Sequence, residues 1–539
     1  MKIPAGIIAF LFLSIAAHAQ TSGPCESLSK LSLPQARILG AEIVPAGAFK
    51  LPVELPPWMA GAAAIFKVLP AFCRVTAQAA PSTDSDIRIE VWLPAENWNG
   101  KFQAHGNGGF AGYIDYVRLA TSILGGYASA STNTGHDAAV PTDASWALGH
   151  PEKLTDFGHR AIHVMTVLAK QVIRARFGAD ARYSYFLGCS NGGRQALMEA
   201  QRYPEDYNGI LAGAPANYWT HLLTSGLWDT QALTNDDASY IPPAKLPAIA
   251  KAVNSACDAQ DGVADGILND PRKCNFKPET MLCKSGDAND CLTQPQITAL
   301  KKIYEGPRDA SGKQIFPGFF PGAEQGPGGW FTWITGPEKG QSGIGAFTYN
   351  YFANIIYEKR GWTPKSAELA QSVKLADEKT AKILNATDAN LAPFRAHGGK
   401  LVLYHGWNDP AISALNSIDY WQSVRAKLGA AEAESFLRLY MLPGVQHCSG
   451  GPGPDFASAL DAAGPHDAQH NVVTALEAWA EQGTAPSAII ATKYVSDDPA
   501  KGAKLSRPMC PYPQSAHYKG SGDTNDAANF VCVAAGVSR

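Results

Sequence analysis

Tyr183-Ser184-Tyr185-Phe186-Leu187-Gly188-Cys189-Ser190-Asn191-Gly192-Gly193 decides the fold. Its first five residues make a short apolar run ending at a glycine, which predicts a buried strand. Asn191 to Tyr203 carries good helix formers and Pro204 stops it, so a helix leaves the turn. A serine in Gly-x-Ser-x-Gly between strand and helix is a nucleophile elbow. The turn is strained, its glycines let strand and helix approach, and the hydroxyl projects over the helix N-terminus. In a glycine-rich chain the bare pattern is weak, and the strand–turn–helix context carries the weight. The plain alternative is a βα turn with an idle serine.

The same rhythm extends on both sides. Ile87 to Leu93 alternates, Asn97 to Gly100 turns, and Lys101 to Ala104 resumes as a second strand. Gly125 to Ser131 is a small-residue strand, Asp156 to Phe177 a helix, and Ile210 to Ala214 a further strand. Between about Pro215 and Pro393 the rhythm fails, in a stretch rich in Trp, Gly, Pro and Asp. It returns with a strand at Lys400–Tyr404, a helix at about Ile412–Leu428, a strand at Phe436–Met441 and a helix at Ala468–Gln482. Strands alternating with helices imply an α/β fold with a mainly parallel sheet covered on both faces. The expected division is a hydrolase core in two parts, 20–215 and 394–539, interrupted by a lid at 216–393, longer than any ordinary loop.

An elbow serine is inert without a base, and folds of this kind order the triad Ser, acid, His along the chain. His447 lies in Pro443-Gly444-Val445-Gln446-His447-Cys448, between the last strong strand and the last helix. Asp409 ends His405-Gly406-Trp407-Asn408-Asp409-Pro410, a loop at the carboxyl end of a parallel strand, where such folds place their chemistry. Asp409 before Pro410 also suits a helix N-cap, and the two roles are compatible. Asp419, inside the following helix, is a poorer acid. The tetrahedral oxyanion needs fixed donors. One expected donor is the backbone N–H of Asn191, the other Gly108 or Gly109 in His105-Gly106-Asn107-Gly108-Gly109, after the strand ending near Ala104.

Ser190 and His447 each have a cysteine as chain neighbour. If the two side chains hydrogen-bond, Cys189 and Cys448 come within the roughly 5–6 Å Cα spacing of a disulfide. Ten cysteines, an even number without any Cys-x-x-Cys, suggest disulfides over zinc or redox chemistry. Sequence does not fix their connectivity. Local spacing favours Cys257 with Cys274, Cys283 with Cys291 and Cys510 with Cys532, which leaves Cys25 with Cys73. Lys2, the apolar run Ile7–Ala17 and Ala17-His18-Ala19 predict a cleavable export signal over residues 1–19, too short to span a bilayer. A formal charge of −3 with no Lys/Arg tract makes nucleic acid and anionic membranes poor partners.

Gly-Cys-Ser-x-Gly-Gly at 188–193, the His447-Cys448 pair, Gly406-x-x-Asp409-Pro410 and Gly209-Ile210-x-Ala212-Gly213-Ala214-Pro215-Ala216 together resemble the tannase/feruloyl esterase family. That family includes fungal feruloyl esterases and tannases and a bacterial mono(2-hydroxyethyl) terephthalate hydrolase. The resemblance implies an α/β-hydrolase core, a Cys189–Cys448 bridge and a structural calcium ion in the lid. The calcium site also has an argument of its own. Cys257 to Ile267 holds three carboxylates and two glycines in one loop that a Cys257–Cys274 bridge would close, and hard oxygen ligands in a tight turn suit calcium. The spacing is not that of an EF-hand. By resemblance the ligands are the side chains of Asp258, Asp261 and Asp265 with the carbonyls of Val263 and Ile267.

These readings lead to an exported serine ester hydrolase acting on small aromatic esters, feruloyl or galloyl, through Ser190, His447 and Asp409. Trp330, Trp333 and Phe347 in the lid are candidates for holding a flat acyl group, though such residues are more often lid core. Between Trp330 and Tyr357 there is no arginine to hold a free carboxylate, which weakens the terephthalate alternative; Arg308 and Arg360 lie just outside that stretch. The rival classes are a non-catalytic secreted binding protein on the same scaffold and a serine peptidase.

Overall fold

The computed structural model describes residues 23–54, 57–457 and 465–534; the expected leader at 1–19 lies outside the described residues. Nine strands share one sheet: β1 (Ala36–Val44), β2 (Phe72–Ala79), β3 (Ile87–Pro94), β4 (Lys101–His105), β5 (Ala128–Thr132), β6 (Tyr183–Cys189), β7 (Gly209–Gly213), β8 (Lys400–Gly406) and β9 (Leu437–Leu442). Their order is β1-β2-β3-β5-β4-β6-β7-β8-β9. The five-strand run from β4 through β9, together with β5 beside β4, is parallel, whereas β1, β2 and β3 run antiparallel at one edge. This is the expected α/β class.

The parallel strands are almost wholly buried, which is why they read as unbroken apolar runs. Alternate residues serve opposite faces. Phe186, Ile210, Leu401 and Leu403 join a core with helix Ala161–Phe177, while Tyr185, Leu187, Leu211, Val402 and Tyr404 pack with Leu476 and Trp479 of helix Val472–Gln482.

The two strands expected within 87–105 both form, but they are not a hairpin. β5 lies between them, reached from β4 through helix Tyr116–Leu124. A parallel neighbour needs such a crossover, and the small-residue run of β5 fits the crowded middle of a sheet. The helix expected from 156 opens with one wide π turn, Asp156–Arg160, before the α-helix at Ala161. The last helix starts at Val472, not Ala468, because the Asn471 side chain accepts from the Val473 and Thr474 N–H groups and caps it there. Two C-terminal hairpins, β10 (Ile489–Tyr494) with β11 (Ala503–Met509) and β12 (Gln514–Tyr518) with β13 (Phe530–Ala534), had no counterpart in the sequence reading.

Between β7 and β8 the chain contributes helices, among them Trp219–Thr234, Leu246–Cys257, Gln294–Glu305, Gly343–Asn350 and Leu369–Leu384. They bury a cluster of their own around Leu233, Ile249, Leu300 and Trp330. A second cluster joins them to the sheet-bearing part through Trp219, Tyr351 and Phe352 packed with Phe110, Phe157 and Ile412. The five disulfides are Cys25–Cys73, Cys189–Cys448, Cys257–Cys274, Cys283–Cys291 and Cys510–Cys532.

Candidate active site

Ser190 sits at the end of β6 with φ 64° and ψ −124°, a backbone region that non-glycine residues occupy at a cost of about 1–3 kcal/mol. The neighbourhood enforces it. The Ser190 N–H donates to the Gly213 carbonyl at 3.0 Å, and the Ser190 carbonyl accepts from Arg194 and Ala216. A Cβ on Gly188 would stand 2.3 Å from the Gly192 carbonyl oxygen, and one on Gly193 2.4 Å from that of Gly213. Only glycine lets the strand, the helix and β7 close this tightly.

The loops after β8 and β9 deliver the partners. His447 Nε2 lies 2.9 Å from Ser190 Oγ, and His447 Nδ1 lies 2.8 Å from Asp409 Oδ2. Asp409 is not a helix N-cap, since the following helix starts only at Leu415 with Ala414 before it, and it closes a turn instead. Its Oδ1 accepts from the Ala411 and Ile412 N–H groups at 2.8 and 2.9 Å, while Oδ2 holds the imidazole. A second histidine, unassigned from sequence, also reaches that oxygen: His405 Nε2 is 3.1 Å from Asp409 Oδ2, and its Nδ1 is 2.8 Å from Ser417 Oγ. Burial opposes charge on Asp409, but His447 and His405 outweigh it and hold the carboxyl well below the usual range. The acid is thus ionised and fully satisfied. With Asp409 accepting at Nδ1, Nε2 carries the lone pair that faces the serine hydroxyl.

Cys189 and Cys448 are bridged at a Cα–Cα distance of 6.0 Å across 259 residues of chain. Cys448 itself has φ 65°. His447 therefore stands on a glycine-rich loop that is covalently tied to the strand bearing the serine.

Ser190 and His447 open into a cleft of about 370 Å³ whose walls include Gly108, Gly109, Trp333 and Phe347. Trp333 meets the His447 ring edge-on, with centroids 5.0 Å apart, and runs nearly parallel to Phe347 at 6.2 Å. Trp330 is elsewhere. It is completely buried in the helical insertion against Tyr304, so it stabilises that core and does not face the cleft. Tyr113, Asp115 and Arg118 also line the cleft; the cation comes from the helix after β4, not from the insertion in which it was sought.

The glycine loop after β4 lies against the nucleophile helix. Gly106 donates to the Leu187 carbonyl, Asn107 to Gln195 Oε1 and Phe110 to the Pro141 carbonyl. The Gly108 N–H is engaged by the Tyr113 hydroxyl at 2.9 Å, so as the structure stands it is not aimed at an acyl oxygen. His105 is no competing base, since burial pushes it down to about 3 and Nε2 faces Ser122 Oγ. Asn191, whose N–H is among the unpaired donors of the helix start, is fixed from two sides. Its Nδ2 donates to the Asn107 carbonyl and its Oδ1 accepts from Arg194 Nε at 2.8 Å. Arg194 is fully buried, with no carboxylate partner among the described residues, and burial lowers it to about 9. Its other donors serve the Gly158, Phe157 and Leu384 carbonyls, and its plane lies over Phe157 and Trp219. No short motif advertises such a role; a conspicuous arginine in a small-residue helix start was the only signal.

The proposed cation loop folds as a 3₁₀ turn, Asp258–Asp261, followed by Gly262 and Gly266 at positive φ. Asp258 Oδ1 accepts from the Gly266 N–H, Asp261 Oδ1 from Val263 and Asp265 Oδ1 from Ile267, while Asp265 Oδ2 pairs with Arg507 at 2.5 Å. Burial, then the neighbouring Asp265 and Asp258 charges, push Asp261 up to about 6. Burial and the Asp265 charge raise Asp258 as well, and all three carboxylates are hard oxygen donors, although Asp265 already has a guanidinium and the three do not converge on one point.

A family model described as tannase and feruloyl esterase matches residues 73–533. An uncharacterised esterase of Xanthomonas campestris pv. campestris is 41% identical, covering 96% of this chain and 92% of its own. A mono(2-hydroxyethyl) terephthalate hydrolase of Piscinibacter sakaiensis is 33% identical over 89% of this chain and 88% of its own. The crystal structure of feruloyl esterase B from Aspergillus oryzae superposes with a TM-score of 0.85 at 27% identity, covering 94% of this chain and 99% of that one.

Proposed function

The chain belongs to the tannase and feruloyl esterase family and is a carboxylic ester hydrolase; on that premise we propose that it cleaves small aromatic esters through an acyl-enzyme on Ser190. The observation that carries this is the continuous line Ser190–His447–Asp409 at 2.9 and 2.8 Å, opening under Trp333 and Phe347. Ser190 Oγ attacks the ester carbonyl as His447 Nε2 takes its proton. The imidazolium then hands that proton to the departing alcohol, and water repeats the sequence to free the acid. Asp409 fixes the imidazole tautomer and stabilises its charge. Asn191 N–H and Gly109 N–H are the proposed oxyanion donors, with Gly108 joining only when Tyr113 yields its bond.

Trp333 and Phe347 give the acyl group two nearly parallel aromatic walls beside the base, which favours a feruloyl or galloyl ring. Turnover of methyl ferulate, methyl gallate, chlorogenate and mono(2-hydroxyethyl) terephthalate tests the choice. We expect the hydroxyaromatic esters to have the highest kcat/KM and Phe347→Ala to lower it about tenfold or more. A clear preference for the terephthalate monoester, or for short aliphatic esters, would overturn the aromatic-acyl assignment.

We further propose export by the leader at 1–19, for which five disulfides are the supporting feature. No helix among the described residues is long and apolar enough to cross a membrane. Asp258, Asp261 and Asp265, with the Val263 and Ile267 carbonyls, are the proposed holders of a structural Ca²⁺. The ion would neutralise the loop and tie it to β11 through the Asp265–Arg507 pair. Chelation should lower Tm by several degrees, reversed by added Ca²⁺ and abolished in Asp258→Asn. An unchanged Tm on chelation would remove calcium from this account.

A further inference from the structure

We propose that His163, Glu199 and Asp206 form a second metal site, for a borderline divalent ion such as Zn²⁺, on the back of the helix that follows Ser190. His163 comes from helix Ala161–Phe177, Glu199 from helix Asn191–Arg202, and Asp206 from the turn leading into β7. One ligand atom from each converges within 4.8 Å of the others. Among the described residues no other group of His, Cys, Asp and Glu side chains does so, the three loop aspartates of the calcium proposal included.

The second observation is Glu199 itself. It is 1% exposed, and neither of its carboxylate oxygens receives a hydrogen bond among the described residues. Beside it lies the Asp206 carboxylate, another acceptor. Burial and the neighbouring Asp206 push Glu199 well above the usual carboxylate range, so the two carboxyls need either a shared proton or a bound cation between them. The nearest cation does not fill the gap. Lys170 Nζ donates to the Asp206 backbone carbonyl at 2.5 Å and stands 3.9 Å from Asp206 Oδ1.

His163 supplies the third ligand and the selectivity. Its ring is held flat against Tyr203, centroids 3.9 Å apart and 7° from parallel, with Nδ1 2.6 Å from Asp206 Oδ2. One imidazole nitrogen with two carboxylate oxygens suits Zn²⁺ or Mn²⁺ better than an all-oxygen ion such as Ca²⁺. A surface groove of about 510 Å³ that includes Lys170, Glu205 and Asp206 gives the ion a way in. The site would lock the nucleophile helix to its neighbour at the end remote from Ser190.

The test is calorimetric titration of the chelator-treated, dialysed full-length protein with ZnCl₂, in buffer containing Ca²⁺. We expect one Zn²⁺ per chain and a raised Tm. Glu199→Gln and His163→Asn should each weaken Kd by about a hundredfold, whereas Asp258→Asn should leave Zn²⁺ uptake intact. His163 is partly exposed, so its variant keeps the test alive if Glu199→Gln fails to fold. Equal uptake by wild type and His163→Asn would overturn the site. So would a wild-type Tm that Zn²⁺ leaves unchanged, because a proton shared by the two carboxyls would then explain the pair.

Discussion

Asp409→Asn lowers kcat by about 10⁴-fold while leaving Tm within a few degrees of wild type. The magnitude follows from what the carboxylate does for the base: an amide offers an N–H where His447 Nδ1 needs an acceptor, so the imidazole turns to the wrong tautomer. Folding is spared because Oδ1 of the asparagine still caps the Ala411 and Ile412 N–H groups, and His405 retains Ser417. Steady-state kinetics beside a thermal melt separate the two effects. A rate within tenfold of wild type would place the acid elsewhere. His405→Asn, which leaves the acid but removes its second imidazole, should cost much less, roughly 10- to 100-fold.

The second large effect is expected from Cys448→Ser. Closing a loop of 259 residues is worth about 5–6 kcal/mol in the chain-entropy account. Location matters more here, because the bridge joins the neighbours of the nucleophile and the base. Hydrogen bonds from Gly444 to Asn408, from Gln446 to the Gln325 carbonyl and from Gly450 to Asp455 also hold the loop from Gly444 through Gly451. The bridge alone ties it covalently to the strand of Ser190, and a displacement of His447 by about 1 Å costs around 10²-fold in rate. Activity should therefore disappear before global structure does, when wild type is titrated with reductant or when Cys448→Ser is titrated with denaturant. Activity assayed against far-UV circular dichroism reads this directly. Coincident loss in both experiments would mean that the bridge acts on the whole fold and not on the base.

Much of the Ser190–His447–Asp409 hydrogen-bonded line could be read from sequence because each member sits where local chemistry is constrained. Gly188, Ser190 and Gly192 are dictated by a close approach of strand and helix, and Asp409 and His447 follow two apolar strand runs. The cysteines beside Ser190 and His447 then linked the two distant segments. Other parts were opaque for physical reasons. β1 is an edge strand whose alternation breaks at a bulge between Ile38 and Gly40, whereas β2 alternates from Cys73 to Ala79 and was missed in the sequence reading. The C-terminal hairpins are short, and a disulfide between Cys510 and Cys532 does some of the work that apolar patterning does elsewhere. His405 and Arg194 act through buried contacts with partners remote in the chain, or masked by an ordinary spacing of four residues. Trp330 and Trp333 are three residues apart and alike in composition. Only packing shows that one fills the insertion's core while the other faces the base.

Covalent labelling with a fluorophosphonate, read by intact mass and then by peptide mapping, interrogates the proposed nucleophile itself. One adduct per wild-type chain on the peptide carrying Ser190, absent in Ser190→Ala and strongly slowed in Asp409→Asn, is the expected outcome. An unlabelled wild-type protein, or a Ser190→Ala variant that still takes up the probe, would show that the hydroxyl facing His447 is not the reacting group.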